Sequence, residues 1–209
     1  ENHYTQSGRE RTRPLRIVSF ECDLDPLTLA ARFPSHFPHL RHGAPHALLA
    51  DGRWQHESGL LTWELLKGDF LTFIETATPP DVIFYDPFSS KTDSALWTVE
   101  TFERIRARCS AKPAELYTYS SATAVRVALL TAGFFVGEGV GTGPKSSTTF
   151  ACSHEAIARG HALSARLLGT DWLARWRRST SKVPAAIPEA ERSVFEKRIE
   201  SHPQFAGIS

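Results

Sequence analysis

Asp81-Val82-Ile83-Phe84-Tyr85-Asp86 is the strongest strand signal in the sequence. Two carboxylates bracket four apolar or aromatic residues, behind Pro79-Pro80 and ahead of Pro87. β-Branched and aromatic side chains fit a pleated surface, so the run predicts the most buried strand of a sheet. Upstream, Leu15-Arg16-Ile17-Val18-Ser19-Phe20-Glu21 predicts a buried strand, and the alternating Leu60–Leu66 another. Between them, Asp25-Pro26 predicts an N-cap with proline at N1, opening a helix Leu27–Arg32 that stops before Pro34. Residues 33–59, rich in Pro, His and Gly, read as irregular with a short helix near Ala47. Gly68-Asp69 turns the chain into a short helix over Phe70–Glu75. Downstream, Leu96–Cys109 predicts a helix, Ala114–Tyr119 a strand and Ser121–Thr131 a helix ended by Gly133. Phe134–Glu138 and Thr148–Cys152 predict a hairpin around Gly139-Val140-Gly141-Thr142-Gly143-Pro144. Residues 154–209 read as helical and polar.

Strands alternating with helices predict an α/β protein: a doubly wound, mostly parallel sheet with helices on both faces. The expected division is a sheet domain over residues 1–153 and a helical C-terminal extension over 154–209. An antiparallel terminal hairpin on such a sheet resembles the Rossmann-like methyltransferase variant of the doubly wound fold.

Composition sets bounds on function. The 209 residues and 23.2 kDa fit one domain, or one domain with a small appendage. With 41% hydrophobic and 22% charged residues, the chain has enough apolar surface to offset the ordering entropy, which excludes global disorder. No apolar run approaches the roughly 20 residues needed to span a bilayer. No basic segment followed by an apolar one marks a secretory signal. The 24 Lys+Arg against 23 Asp+Glu give a net charge of +1, so any RNA-binding surface must be local. Cys22, Cys109 and Cys152 stand far apart and read as free thiols of a reducing cytoplasm. The sequence has no Met and begins Glu1-Asn2-His3, which suggests a processed start or a fragment.

Three acidic residues fall at predicted strand ends, where open α/β sheets bind ligands. Glu21 either accepts the hydroxyl protons of a ribose or caps the next turn. Asp69 either accepts the exocyclic amine of an adenine or caps its own turn. Asp86-Pro87-Phe88 is the sharpest feature: it resembles the acidic-or-amide, proline, aromatic element of amine methyltransferases, a resemblance that implies a carboxylate orienting a reacting amine and an aromatic stacking on a base. A capped strand-to-loop turn is the structural alternative. His36, His39, His42 and His46 interleave with Pro34, Pro38 and Pro45 and read as a solvated loop rather than a metal site. Ser120-Ser121 lacks the glycines of a nucleophile elbow. Trp172–Lys182 carries four positive charges and two indoles four residues apart. That pattern predicts a helix docked by its tryptophans, with arginines free for solvent or an RNA backbone.

The stretches Asp81–Thr98 (DVIFYDPFSSKTDSALWT), Thr118–Phe134 (TYSSATAVRVALLTAGF) and Gly141–Lys145 (GTGPK) resemble the methyltransferase component of the bacterial tRNA wobble-uridine methylaminomethyl pathway. That component occurs fused to an FAD-dependent oxidase or alone; residues 15–152 resemble the stand-alone form. The resemblance implies S-adenosylmethionine as cofactor and the aminomethyl group of tRNA wobble uridine as methyl acceptor. It implies cofactor contacts at Glu21, Cys22, Gly68, Asp69, Phe70 and Asp86, with Asp86 as the catalytic residue. It implies substrate contacts at Pro87, Phe88, Lys91, Trp97, Arg126 and Lys145. A separate FAD-dependent oxidase is the implied partner, with no membrane involved. The family's first strand and Gly-rich loop have no counterpart ahead of Leu15, so the N-terminal third is expected to be missing and a sheet edge exposed. Another amine substrate, or a non-catalytic RNA-binding scaffold, are the rival readings.

Overall fold

β1 (Leu15–Glu21) forms where the first β-branched run lies. A computed structural model of the chain describes residues 13–89, 91–141, 146–179, 183 and 187–206. The chain divides into two compact units, residues 1–78 and 79–209.

In the first unit β1 is followed by α1 (Asp25–Ala31), α2 (Gly43–Asp51), β2 (Arg53–Gln55), β3 (Leu61–Lys67) and α3 (Phe70–Phe73). Asp25 is the first helical residue of α1 rather than its cap; its N–H donates to Asp23 Oδ1 at 2.9 Å. β1 and β3 pair in parallel from Leu15↔Leu61 to Glu21↔Lys67. The Trp63 indole N–H donates to Ser19 Oγ at 2.8 Å across that pair. β2 adds antiparallel to β3 with Trp54 opposite Trp63. Residues 33–59 are thus more ordered than expected, with a 3₁₀ turn (Pro38–Arg41), a two-turn helix and a strand. Two of the clustered histidines there, His42 and His46, serve the backbone. His42 Nδ1 accepts the Ala44 N–H and caps α2, and His46 Nε2–H donates to the Leu40 carbonyl.

The second unit continues with β4 (Val82–Phe84), α4 (Val99–Arg108), β5 (Glu115–Thr118), α5 (Thr123–Thr131), β6 (Phe135–Val140), β7 (Ser147–Cys152), α6 (Glu155–Gly160), α7 (Thr170–Arg177) and α8 (Arg192–Glu200). Strand order is β4-β5-β7-β6. β4 and β5 are parallel, while β7 lies antiparallel between β5 and β6, as the hairpin pattern predicts. The described ladders are therefore mixed rather than mostly parallel. Strand alternation sends Leu116, Val136 and Ala151 to one face, all fully buried. On that side α5 packs against α4, α8 and β6. The other face buries Phe135, Phe150 and Cys152 beneath α6 and Leu163. His161 is stacked on Phe150 there, and its Nδ1 accepts the Leu163 N–H at 2.9 Å. Nε2 therefore carries the proton and donates to Tyr117 Oη at 2.9 Å, which donates to Glu115 Oε2 at 2.7 Å.

β4 departs from expectation. It is not the most buried strand but, among the described residues, has a partner on one side only. Val82 is 47% and Phe84 83% exposed, Phe84 resting one ring face on Tyr117. Only Ile83 and Tyr85 turn toward the core. An apolar run reports side-chain chemistry and cannot report how many neighbours the strand has.

The C-terminal residues belong to this second unit. Trp172 and Trp176 are buried and stacked, with Phe205 stacked on Trp172. Arg175, Arg177 and Arg178 stay exposed, as the indole spacing predicts. The Gln204 side chain bonds like a strand residue to the open edge of β6. Its Oε1 accepts the Val136 N–H at 2.6 Å, and its Nε2 donates to the carbonyls of Val136 and Leu168, each at 2.8 Å. No helix among the described residues is long and apolar enough to cross a membrane.

Candidate active site

In the first unit the candidate residues converge on the C-terminal ends of two adjacent parallel strands. Glu21 ends β1, and its carbonyl accepts the Gly68 N–H at 2.9 Å, which ties the two strand ends together. Its carboxylate Oε1 accepts the Asp23 N–H at 3.0 Å, shaping the turn into α1. The other carboxylate oxygen has no partner among the described residues. Cys22 follows with an exposed thiol. Gly68 adopts φ +139°, and a Cβ there would sit 2.5 Å from the Phe73 ring. Glycine alone lets the chain reverse at that spot. Asp69 then caps α3: its Oδ2 accepts both the Thr72 N–H and the Thr72 hydroxyl at 3.0 Å. Oδ1 is left for another donor. Phe70 packs edge-on against Phe20, their centroids 4.9 Å apart.

The second unit carries the rest. β4 leads through buried Tyr85 into Asp86-Pro87-Phe88. Asp86 is exposed, with no hydrogen-bond partner among the described residues. Phe88 is 74% exposed. Its carbonyl accepts the Trp97 indole N–H at 2.8 Å. The Trp97 ring lies edge-on to Tyr85 at 5.5 Å. Trp97, expected at the substrate, thus braces the loop from beneath. Lys91 is exposed on the same connection. The Tyr85 hydroxyl donates to the Leu96 carbonyl, and burial, with the Asp93 charge adding, holds its pKa above the ordinary tyrosine value. Sequence reasoning passed over Tyr85, although alternation from Ile83 points it inward.

Arg126 is not at a surface. It is buried on α5, where its guanidinium donates to Glu138 Oε1 at 3.0 Å, Thr149 Oγ1 at 3.1 Å and the Thr148 carbonyl at 3.1 Å. Every recorded bond of that group braces the β6–β7 hairpin. Lys145 lies outside the described residues. Cys109 and Cys152 are buried thiols, pushed up to about 11 and about 12 by burial, so neither is a nucleophile near neutral pH.

Glu21 and Asp69 each spend one carboxylate oxygen on a local bond and keep the other as an acceptor among the described residues, the donor-accepting chemistry that the hydroxyls and exocyclic amine of an adenosine require. Fold and strand ends together define a class. The chain belongs to the S-adenosyl-L-methionine-dependent methyltransferase family, whose family model matches residues 36–154.

Its relatives narrow the comparison. The tRNA 5-methylaminomethyl-2-thiouridine biosynthesis bifunctional protein MnmC of Ralstonia nicotianae is 32% identical over 126 residues, 59% of this chain and 19% of that protein. MnmC of Burkholderia vietnamiensis is 29% identical over 152 residues, 72% of this chain and 20% of that protein. The chain thus spans at most about a fifth of the length of these curated relatives. The crystal structure of MNMC2 from Aquifex aeolicus shares the fold, with a TM-score of 0.52 and 21% identity, covering 91% of this chain and 67% of that one.

Proposed function

We propose that this methyltransferase acts on the primary amine of the aminomethyl substituent on tRNA wobble uridine. It would convert 5-aminomethyl-2-thiouridine into 5-methylaminomethyl-2-thiouridine. The observation that carries the reading is Asp86, a carboxylate with no hydrogen-bond partner among the described residues, followed by an exposed Phe88 on a loop tethered at its own carbonyl. The MnmC relatives are named for biosynthesis of that same nucleoside.

S-Adenosylmethionine, when bound, supplies an activated methyl group on a sulfonium. The chain's own residues have narrower tasks. Glu21 and Asp69 accept from the adenosine. Asp86 accepts an amine N–H and aims the nitrogen lone pair, and Phe88 offers its ring to the uracil. The amine nitrogen would gain the methyl as the S–CH₃ bond breaks, the sulfur departing as a neutral thioether, and the resulting ammonium would release one proton to solvent. Orientation of this kind accounts for a large part of the rate in transfer between pre-activated partners. The reading includes the cytoplasm as the setting and a separate FAD-dependent oxidase acting in the same pathway.

The test incubates the chain with S-adenosylmethionine and tRNA bearing 5-aminomethyl-2-thiouridine, followed by mass spectrometry of the nucleosides. A gain of one methyl on that nucleoside is expected. Asp86→Ala should abolish it while cofactor affinity stays near wild type. Cofactor binding without methyl gain would remove tRNA as substrate, and near-normal turnover by Asp86→Ala would remove the role of Asp86.

A further inference from the structure

Trp97 has two ring neighbours in its unit and one outward reach. Its ring lies edge-on to Tyr85 at 5.5 Å and to fully buried Phe102 at 6.5 Å. The 3₁₀ turn Ser94–Trp97 that carries it is bolted down through its carbonyls. Leu96 O accepts the Tyr85 hydroxyl, and Ala95 O accepts the Thr101 hydroxyl at 2.8 Å and the Thr98 hydroxyl at 3.3 Å. From this anchored base the indole N–H crosses to the Phe88 carbonyl at 2.8 Å, nine positions back. The loop's other recorded backbone bonds are local: the Thr92 and Asp93 N–H groups both donate to Ser89 O, at 2.8 and 2.9 Å. Tyr85, whose N–H donates to the Tyr117 carbonyl at 2.8 Å, holds the turn at its start, and among the described residues Trp97 ties its far end, Phe88, to the core of the unit.

We propose that Trp97 is a positioning residue for methyl transfer, its indole N–H fixing the Phe88 backbone and so the angle at which Asp86 and Phe88 meet the amine. The inference rests on the functional reading of that loop given above. The bond lies at the surface, where water replaces it readily, so its loss costs folding little. Its loss leaves Phe88 free to swing, and Asp86 two residues earlier moves with it. A displacement of about 1 Å in a positioning group can lower a rate by up to roughly a hundredfold.

Two replacements remove the N–H and keep the aromatic packing. One is Trp97→Phe. The other installs β-(3-benzothienyl)alanine at position 97, which keeps the indole shape with sulfur in place of N–H and so guards against a folding defect. Expected for both are a melting temperature close to wild type, an unchanged cofactor dissociation constant and a kcat for aminomethyl-uridine tRNA lowered about tenfold. Amide hydrogen exchange of Ser89, Thr92 and Asp93 should quicken while that of Val99–Arg108 holds. Wild-type kcat in the benzothienyl variant overturns the proposal. So does a loss of kcat accompanied by faster exchange throughout Val99–Arg108, which would make Trp97 a plain core residue. Asp86→Ala is the control for the reading beneath it. If that variant transfers normally, or the wild-type chain transfers nothing, the functional reading fails and takes the proposal with it. If Asp86→Ala is inactive and both Trp97 variants are normal, only the positioning role falls.

Discussion

Arg126 Nη1 on α5 and Glu138 Oε1 on β6 lie 3.0 Å apart, the arginine side chain 7% exposed and the glutamate 41%. The exposed partner is what makes the buried one tolerable. Removing Glu138 leaves, among the described residues, a cation with neutral acceptors alone, Thr149 Oγ1, the Thr148 carbonyl and Ser147 Oγ, in a site that solvent barely reaches. Removing Arg126 leaves a carboxylate that water can hydrate. Glu138→Ala should therefore cost about 2–3 kcal/mol, and Arg126→Met, which keeps the apolar stem, about 1–2 kcal/mol. Urea unfolding of both variants checks the order; a costlier Arg126→Met would show that the ion pair is incidental.

His202 gives the second unit a pH dependence. The imidazole is buried, and burial, reinforced by the Arg106 charge, lowers its pKa to about 4. Its Nδ1 accepts the Gln204 N–H at 3.1 Å, which requires the unprotonated ring. The unfolded chain binds a proton near pH 6.5 and the folded one does not. Stability from this group is thus full above pH 6.5 and is lost as pH falls toward 4, by roughly 3 kcal/mol in all. His202→Asn keeps an acceptor for Gln204 and should flatten that slope. Equal slopes for wild type and variant between pH 4 and 7 would remove His202 as the cause.

Much of this was legible in the sequence, for physical reasons that also mark the limit. β-Branched and alternating runs marked β1, β3, β5 and the β6–β7 hairpin because a pleated sheet selects those side chains, although β1, expected to be buried, has no fully buried residue. The expected placement of Glu21, Asp69 and Asp86 at strand ends was legible too: they lie at or two residues past the ends of β1, β3 and β4. What failed depends on distant partners. β2 has a single apolar residue, Trp54, and is a strand only because Trp63 pairs with it. Arg126 sits in an apolar run, Val125–Leu130, and its acceptors come from a hairpin that follows it in the chain. Gln204 looks like an ordinary polar residue until its bonds to Val136, 68 positions earlier, are seen.

Gly68 and Gly59 separate strain from clash. Both have positive φ, +139° and +70°. A Cβ added at Gly59 would meet nothing nearer than the flexible end of Gln55, 3.7 Å away, whereas at Gly68 it would meet the Phe73 ring at 2.5 Å. Gly59→Ala carries the left-handed penalty alone, about 1 kcal/mol. Gly68→Ala adds a ring displacement at a φ that alanine avoids more strongly, for about 2–3 kcal/mol. Thermal unfolding of the two variants should rank them in that order, and equal losses would mean that Phe73 moves aside freely.

Asp69 has two tasks that substitution can separate. Oδ2 caps α3 through Thr72, and Oδ1 is the oxygen assigned to the adenine amine. Asparagine caps a helix as well as aspartate does, but its one carbonyl oxygen is then spent on Thr72. Its amide N–H₂ would face the adenine amine, donor against donor. Asp69→Asn should leave stability within about 0.5 kcal/mol of wild type. It should still weaken S-adenosylmethionine binding about tenfold or more, as expected when a hydrogen bond to a charged acceptor is lost. Asp69→Ala should lose both, with about 1 kcal/mol of capping gone as well. Calorimetric titration beside urea unfolding reads the two effects independently. Unaltered cofactor affinity in Asp69→Asn would return Asp69 to a capping role alone and leave Glu21 as the acidic contact of that strand edge.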